Sequence, residues 1–226
     1  MKTQLFLGAA ALATVSLISA GAASAGTISM NFDTLQNDEL VNTYYDGGSG
    51  SFGSTGGPNY GVVFHNAEVL NEFQNNEANL ITPPNSITFF GGGGALMDVA
   101  AGFTTGFSFN YSAPFDGGLV TVWSGLDGTG TELASLNLPL TANGANNPDC
   151  GGKNYCPDVP FGVTFSGTAE SVNFSGTANF IVYDDITLGS SSPGIPEPAT
   201  WAMMLVGFGG LGAAMRSNRR KQAVAA

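Results

Sequence analysis

Phe107-Ser108-Phe109-Asn110-Tyr111-Ser112 decides the fold, together with Val120-Thr121-Val122-Trp123 beyond the turn Asp116-Gly117-Gly118. Large apolar and small polar residues alternate one for one, the period of a strand with one face on a core. A helix would set Phe107 and Phe109 about 200° apart and bury neither cleanly. The same period recurs outward in both directions. Ile28, Met30 and Phe32 show it, as do Ile87 with Phe89, Phe103 ahead of the central run, and Leu136 with Leu138. It continues at Val163 with Phe165, at Val172 with Phe174, and in a closing run of Phe180, Val182, Ile186 and Leu188. Asp46-Gly47-Gly48, Gly56-Gly57-Pro58, Asp127-Gly128-Thr129-Gly130 and Asn143-Gly144 separate these runs as turns. Eight or nine short strands at near-regular spacing predict an all-β antiparallel sandwich over residues 26–189. Asn66 to Leu80 is Asn-rich and reads as loop. Gly91 to Gly94 lacks the Lys-Ser/Thr and the following helix of a phosphate cradle, and reads as a tight strand connection.

The chain has 226 residues, with 33 Gly, 43% apolar and 10% charged residues, and a formal charge of −11. Between Gly26 and Ser192 a single base, Lys153, faces sixteen carboxylates. So acidic a surface repels phosphate backbones and excludes nucleic-acid binding. The apolar content excludes a solvated coil, and the glycine content excludes a helical bundle, where each interior Gly costs about 1 kcal/mol.

The two ends follow another logic. Lys2, an apolar run from Leu5 to Ile18, and Ala23-Ser24-Ala25 have the layout of a secretory signal peptide over 1–25, with Ala23 and Ala25 at the cleavage positions. The alternative is an N-terminal membrane anchor or core helix, for which the run is short and Ala-rich. At the other end a Ser/Pro/Gly linker over 190–198 contains Pro196-Glu197-Pro198. An uncharged stretch over 199–215 follows, long enough for about 26 Å of helix and so a marginal single transmembrane helix. A basic tail over 216–226 closes the chain, and Arg216, Arg219, Arg220 and Lys221 should hold it on the cytoplasmic side.

Pro196-Glu197-Pro198, then Trp201-Ala202, the Met-rich and Gly-rich span and the basic cluster resemble the PEP-CTERM sorting signal in its PEPxxWA form. The resemblance covers about residues 193–221. It implies export through the Sec machinery and an inner-membrane-anchored precursor. Exosortase, a transpeptidase-like membrane enzyme of Gram-negative bacteria, would then cut near the motif and leave the domain at the cell surface or in the extracellular matrix. An ordinary C-terminal membrane anchor is the alternative. The central domain loosely resembles the jelly-roll sandwiches found ahead of such tails and in carbohydrate-binding modules. In those folds the first and last strands pair, and acids there hold structural calcium. Asp33, Asp184 and Asp185 occupy matching positions, although adjacent Asp184 and Asp185 on a regular strand would face opposite ways, one of them solvated.

Cys150 and Cys156 are the only cysteines, and in an exported chain they are expected to form a disulfide pinning a long loop over 140–160. A zinc site would need more ligands than the lone His65 supplies, and a redox pair would favour closer spacing. No Gly-x-Ser-x-Gly elbow and no base near either Cys supports nucleophilic catalysis. Glu68, Glu72 and Glu77 read as solvated. Binding is therefore expected rather than turnover. Tyr44, Tyr45, Tyr60, Trp123 and Tyr155 are candidate platforms for a polysaccharide, with Trp123 as core the alternative. A secreted glycan hydrolase with a carboxylate pair from distant strands, or a structural adhesin or ice-contacting surface, are the other readings.

Overall fold

The computed structural model describes residues 26–75, 77 and 83–193. The expected signal peptide over 1–25 and the span and basic tail over 199–226 lie outside the described residues. No helix among the described residues is long and apolar enough to cross a membrane.

Eleven strands form two antiparallel sheets: β1 Ile28–Met30, β2 Val62–His65, β3 Glu68–Asn71, β4 Asn85–Thr88, β5 Ala95–Phe103, β6 Gly106–Ser112, β7 Gly118–Gly125, β8 Thr129–Leu138, β9 Val159–Thr164, β10 Ala169–Gly176 and β11 Val182–Leu188. Sheet one runs β3-β4-β11-β6-β9, with β1 also paired to β11; sheet two runs β2-β5-β10-β7-β8. The first and last strands pair, with Ile28 opposite Leu188 and Met30 opposite Ile186. The all-β sandwich read from the alternation is the architecture found.

The core lies between the sheets. Phe107, Phe109 and Tyr111 of β6 meet Phe174 of β10 and Tyr183 of β11, all within 1% of complete burial. Phe109 makes edge-on contacts with Phe174 at 6.2 Å and Tyr183 at 5.5 Å, the geometry that ring quadrupoles favour. Gly94 allows β5 to enter this layer: its φ is +106°, and an added Cβ would strike the Phe174 carbonyl. The glycine run at 91–94 is thus the tight connection expected, tied by the Asn66 amide donating to the carbonyls of Gly91 and Gly94.

Sheet two behaves as alternation predicts, with Val62, Phe64, Met97, Val120 and Val122 inward and His65, Asp98 and Trp123 outward. Sheet one does not. Every residue of β4, β6 and β11 is buried, including the polar half of each pattern. The outer face is covered by other chain segments, and its polar groups bond to that cover or to one another. Ser108 donates to the Ser190 carbonyl (3.0 Å), Ser86 to Glu77 Oε2 (2.6 Å), and Asn110 Nδ2 to Asp185 Oδ2 (2.7 Å). The start of the expected linker, Ser190 to Ser192, is therefore part of the body. At Gly106 and Gly162 an added Cβ would collide with Ser191, so glycine admits the close approach.

Three boundaries differ from the sequence reading. β3 falls inside the Asn-rich stretch expected to be loop, because Val69 and Leu70 pair with Ile87 and Ser86. Phe32 lies beyond β1 with φ +59°, and Phe180 precedes β11, so alternation ran past the true strand ends. Lastly, Asp184 and Asp185 are both buried, at 0% and 3% exposure, so neither is a solvated residue on an outward face. A register shift between Asp184 and Thr187, with Asp185 at φ +49°, breaks the strict alternation there.

Candidate functional site

The five candidate aromatics fall in three places. Tyr44 and Tyr45 are core residues with engaged hydroxyls: Tyr44 Oη lies 2.6 Å from Thr34 Oγ1, and Phe32 N–H donates to Tyr45 Oη. Burial raises the Tyr45 phenol well above its ordinary value. Tyr60, 36% exposed, stacks on Tyr45 at 6.2 Å and 5° and faces a cleft of about 290 Å³ that Tyr44, Tyr45, Asn31, Thr34 and Asp185 also line. Trp123 lies half-buried on the outer face of sheet two, its Nε1–H donating to Thr121 Oγ1 (2.8 Å); it is not core.

Tyr155 belongs to a cleft of about 380 Å³, larger than the one at Tyr60 and lined by Leu70, Asn75, Glu77, Phe115, Tyr155, Asn179, Phe180 and Val182. Phe115 centres an edge-on cluster, 5.7 Å from Tyr155 and 5.9 Å from Phe180. Phe115 and Phe180 are 41% and 36% exposed. The cleft is fixed from several sides. The Cys150–Cys156 disulfide, with Cα atoms 5.8 Å apart, closes the loop that carries Tyr155. Lys153 Nζ donates to the Asn75 carbonyl (2.6 Å), and Tyr155 Oη donates to the Asn179 carbonyl (2.8 Å). Asn179 adopts φ +62° and donates its N–H to Phe89, which turns Phe180 outward before β11 begins. The alternating pattern had assigned Phe180 to a strand and left Phe115 unremarked. The available signal for Phe115 was a large ring inside a turn sequence, Pro114-Phe115-Asp116-Gly117, where no core face exists to take it.

Glu77, expected to be solvated, is 1% exposed. Burial raises its carboxyl to about 7, opposed by the Ser86 hydroxyl, reinforced by Glu72 and relieved by Lys153. Among the described residues, no hydrogen-bond donor reaches its buried Oε1 or either buried carboxylate oxygen of Asp158. Asp158 is pushed well above the ordinary carboxylate range by burial and then by Glu77, Asp185 and Glu72. The sequence offered no sign of this acidic layer, because the segments covering sheet one read as loops.

Asp33 follows β1, and Asp184 and Asp185 lie in β11, which pairs with both β1 and β4. Asn85 N–H donates to Asp33 Oδ1 (3.2 Å), and Asp185 N–H donates to Asp184 Oδ1 (2.7 Å). Burial raises Asp33 to about 6, offset by the Asn85 N–H and reinforced by Asp185 and Glu72. These are hard oxygen donors of the kind calcium takes. Among the described residues, the trio whose ligand atoms lie within 4.8 Å of one another is a different one, His65, Asp98 and Asp127. His65 therefore has the partners in space that it lacks in sequence.

Residues 194–221 match the model of the PEP-CTERM protein-sorting motif. Pro196, Glu197, Pro198, Trp201 and Ala202, with Arg216, Arg219, Arg220 and Lys221, all fall inside this match. No curated protein sequence matches the chain. Among solved structures, the K2 cleaved adhesin domain of Lys-gingipain is 12% identical, with 72% of this chain and 99% of that one covered and a TM-score of 0.45. A β-1,3-glucan-binding CBM6 from Bacillus halodurans is 15% identical over 55% of this chain and 86% of that one, with a TM-score of 0.36. A family 43 arabinoxylan arabinofuranohydrolase from Bacillus subtilis is 19% identical over 53% and 24%, at 0.34. At these scores no function passes from any of them to this chain.

Proposed function

We propose that this chain is an exported surface or matrix protein whose sandwich binds a polysaccharide at the Phe115–Tyr155–Phe180 cleft. Its C-terminal segment would hold the precursor in the inner membrane of a Gram-negative bacterium until exosortase cuts it. The sorting motif over 194–221 supports the destination. The exposed ring cluster on a disulfide-closed loop supports the binding. Sugar rings stack their C–H faces on such aromatics, while Asn75, Asn179 and Glu77 at the cleft can meet hydroxyls. Calorimetric titration with exopolysaccharide fractions tests it: saturable binding that Phe115→Ala and Phe180→Ala each weaken about tenfold or more supports the reading. Equal binding by both variants refutes the cleft.

One observation favours a second reading. A carboxyl near 7 in an aromatic cleft has the proton affinity of a general acid, and Glu72 and Glu77 both line an adjoining cleft. Release of reducing ends from the same fractions, abolished by Glu77→Gln, would make the protein a glycan hydrolase. Calcium at Asp33, Asp184 and Asp185 is proposed as structural support for the β1–β11 seam.

A further inference from the structure

His65, the only histidine in the chain, ends β2 with its side chain 53% exposed. The β2–β5 register sets Val63 opposite Asp98 and His65 opposite Leu96. His65 and Asp98 are therefore diagonal neighbours on the outer face of sheet two. The β7–β8 connection brings in a third group. Its tip folds back across β10, where Gly128 N–H donates to Ser171 Oγ (3.0 Å) and Ser171 Oγ donates to the Gly125 carbonyl. This fold-back lets Asp127 N–H donate to Asp98 Oδ1 (2.9 Å), while Asp98 Oδ2 lies 3.2 Å from His65 Nε2. Residues 62 positions apart thus present one imidazole nitrogen and two carboxylates within 4.8 Å of one another.

The geometry points to a surface site for a zinc-class divalent cation, bound by His65, Asp98 and Asp127 with at least one coordination position open to solvent. Two ligands on a tetrahedral ion with bonds of about 2.0–2.1 Å stand roughly 3.3–3.4 Å apart, close to the 3.2 Å between His65 Nε2 and Asp98 Oδ2. An imidazole among the donors favours zinc, nickel or copper over calcium and magnesium, which take oxygen. A simple His65–Asp98 ion pair would account for two of the groups. Asp127 is held beside Asp98 by its own backbone N–H, and that anchor brings its carboxylate within 4.8 Å of the other two ligand atoms. The site is on sheet two and the aromatic cleft is on sheet one, so the two stand or fall independently.

The lone histidine makes the test clean. Purified full-length protein in detergent is titrated with ZnCl₂ while the imidazole resonances are followed by NMR and the heat by calorimetry. One equivalent of zinc should shift the His65 ring, millimolar Ca²⁺ should not compete, and His65→Ala should remove the event. Asp98→Asn and Asp127→Asn should each weaken binding about tenfold or more, with unchanged circular dichroism. Unmoved resonances, competition by calcium, or an Asp127→Asn variant that binds as the parent does would each overturn the site.

Discussion

Replacing Glu77 with Gln should remove a loss of stability that the wild type suffers between pH 5 and pH 8. Glu77 is 1% exposed; Ser86 supports one carboxylate oxygen at 2.6 Å, and among the described residues no donor reaches the other. Its folded-state value of about 7 stands above the 4.5 of an ordinary glutamate. A raised carboxyl means that the folded state holds the proton more tightly than the unfolded chain. The stabilisation is present below pH 4.5, fades as pH rises, and is gone above 7. At about 1.4 kcal/mol per pH unit, the wild type loses roughly 2–3 kcal/mol between pH 5 and pH 8 through this residue. Gln cannot ionise and loses none of it. Its Oε1 can still accept from Ser86, and any cost of the buried amide NH₂ is independent of pH, so it cancels from the comparison. For a domain of this size the differential should appear as about 5–10 °C in Tm between the two proteins at pH 8 relative to pH 5. Thermal or urea unfolding at four pH values measures it. Parallel stability profiles for wild type and Glu77→Gln would refute a buried, destabilised carboxylate at this position.

Gly162→Ala should destabilise the protein by about 1–3 kcal/mol and open the 190–193 segment to proteases, because the new Cβ would collide with Ser191 and lie 2.6 Å from Ser108 Cβ; an unchanged digestion pattern would show that the segment does not pack there. If calcium sits at Asp33, Asp184 and Asp185, added CaCl₂ should raise Tm above that in chelator, and Asp33→Asn should abolish the difference; equal midpoints in the parent protein remove calcium. Glu197→Ala should leave a full-length precursor in the membrane fraction, read by immunoblot of fractionated cells, and normal processing would contradict sorting through the Pro-Glu-Pro motif.

What the sequence made legible was the pairing of residues with faces; what it hid was whether each face is wet. Period-2 alternation in Phe107-Ser108-Phe109-Asn110-Tyr111-Ser112 correctly put three rings in the core, because large apolar groups have one favourable destination. The same alternation suggests water for Ser108, Asn110 and Ser112, and there it fails. A small polar side chain is as well placed under a second layer as in solvent, provided a partner accepts its hydrogen bond, and no local pattern tells the two cases apart. The cover includes chain that looks like loop or linker: Glu77 over Ser86, and Ser190 to Ser192 over Ser108 and Gly162. The site inherits the same blindness. Tyr44 and Tyr45 line one cleft with Tyr60 yet are buried through their own hydroxyl contacts, a degree of burial that their loop sequence does not announce. Phe115 carries no strand pattern and Phe180 reads as strand, since their shared place depends on a meeting of segments 65 residues apart. Covering one face of a sheet with acidic, hydrogen-bonded chain has a cost visible in Glu77 and Asp158, both held where ionisation is penalised. That penalty places one carboxyl, Glu77, whose proton affinity reaches the neutral range beside an open aromatic cleft, an arrangement that a strand with a solvated outer face could not provide.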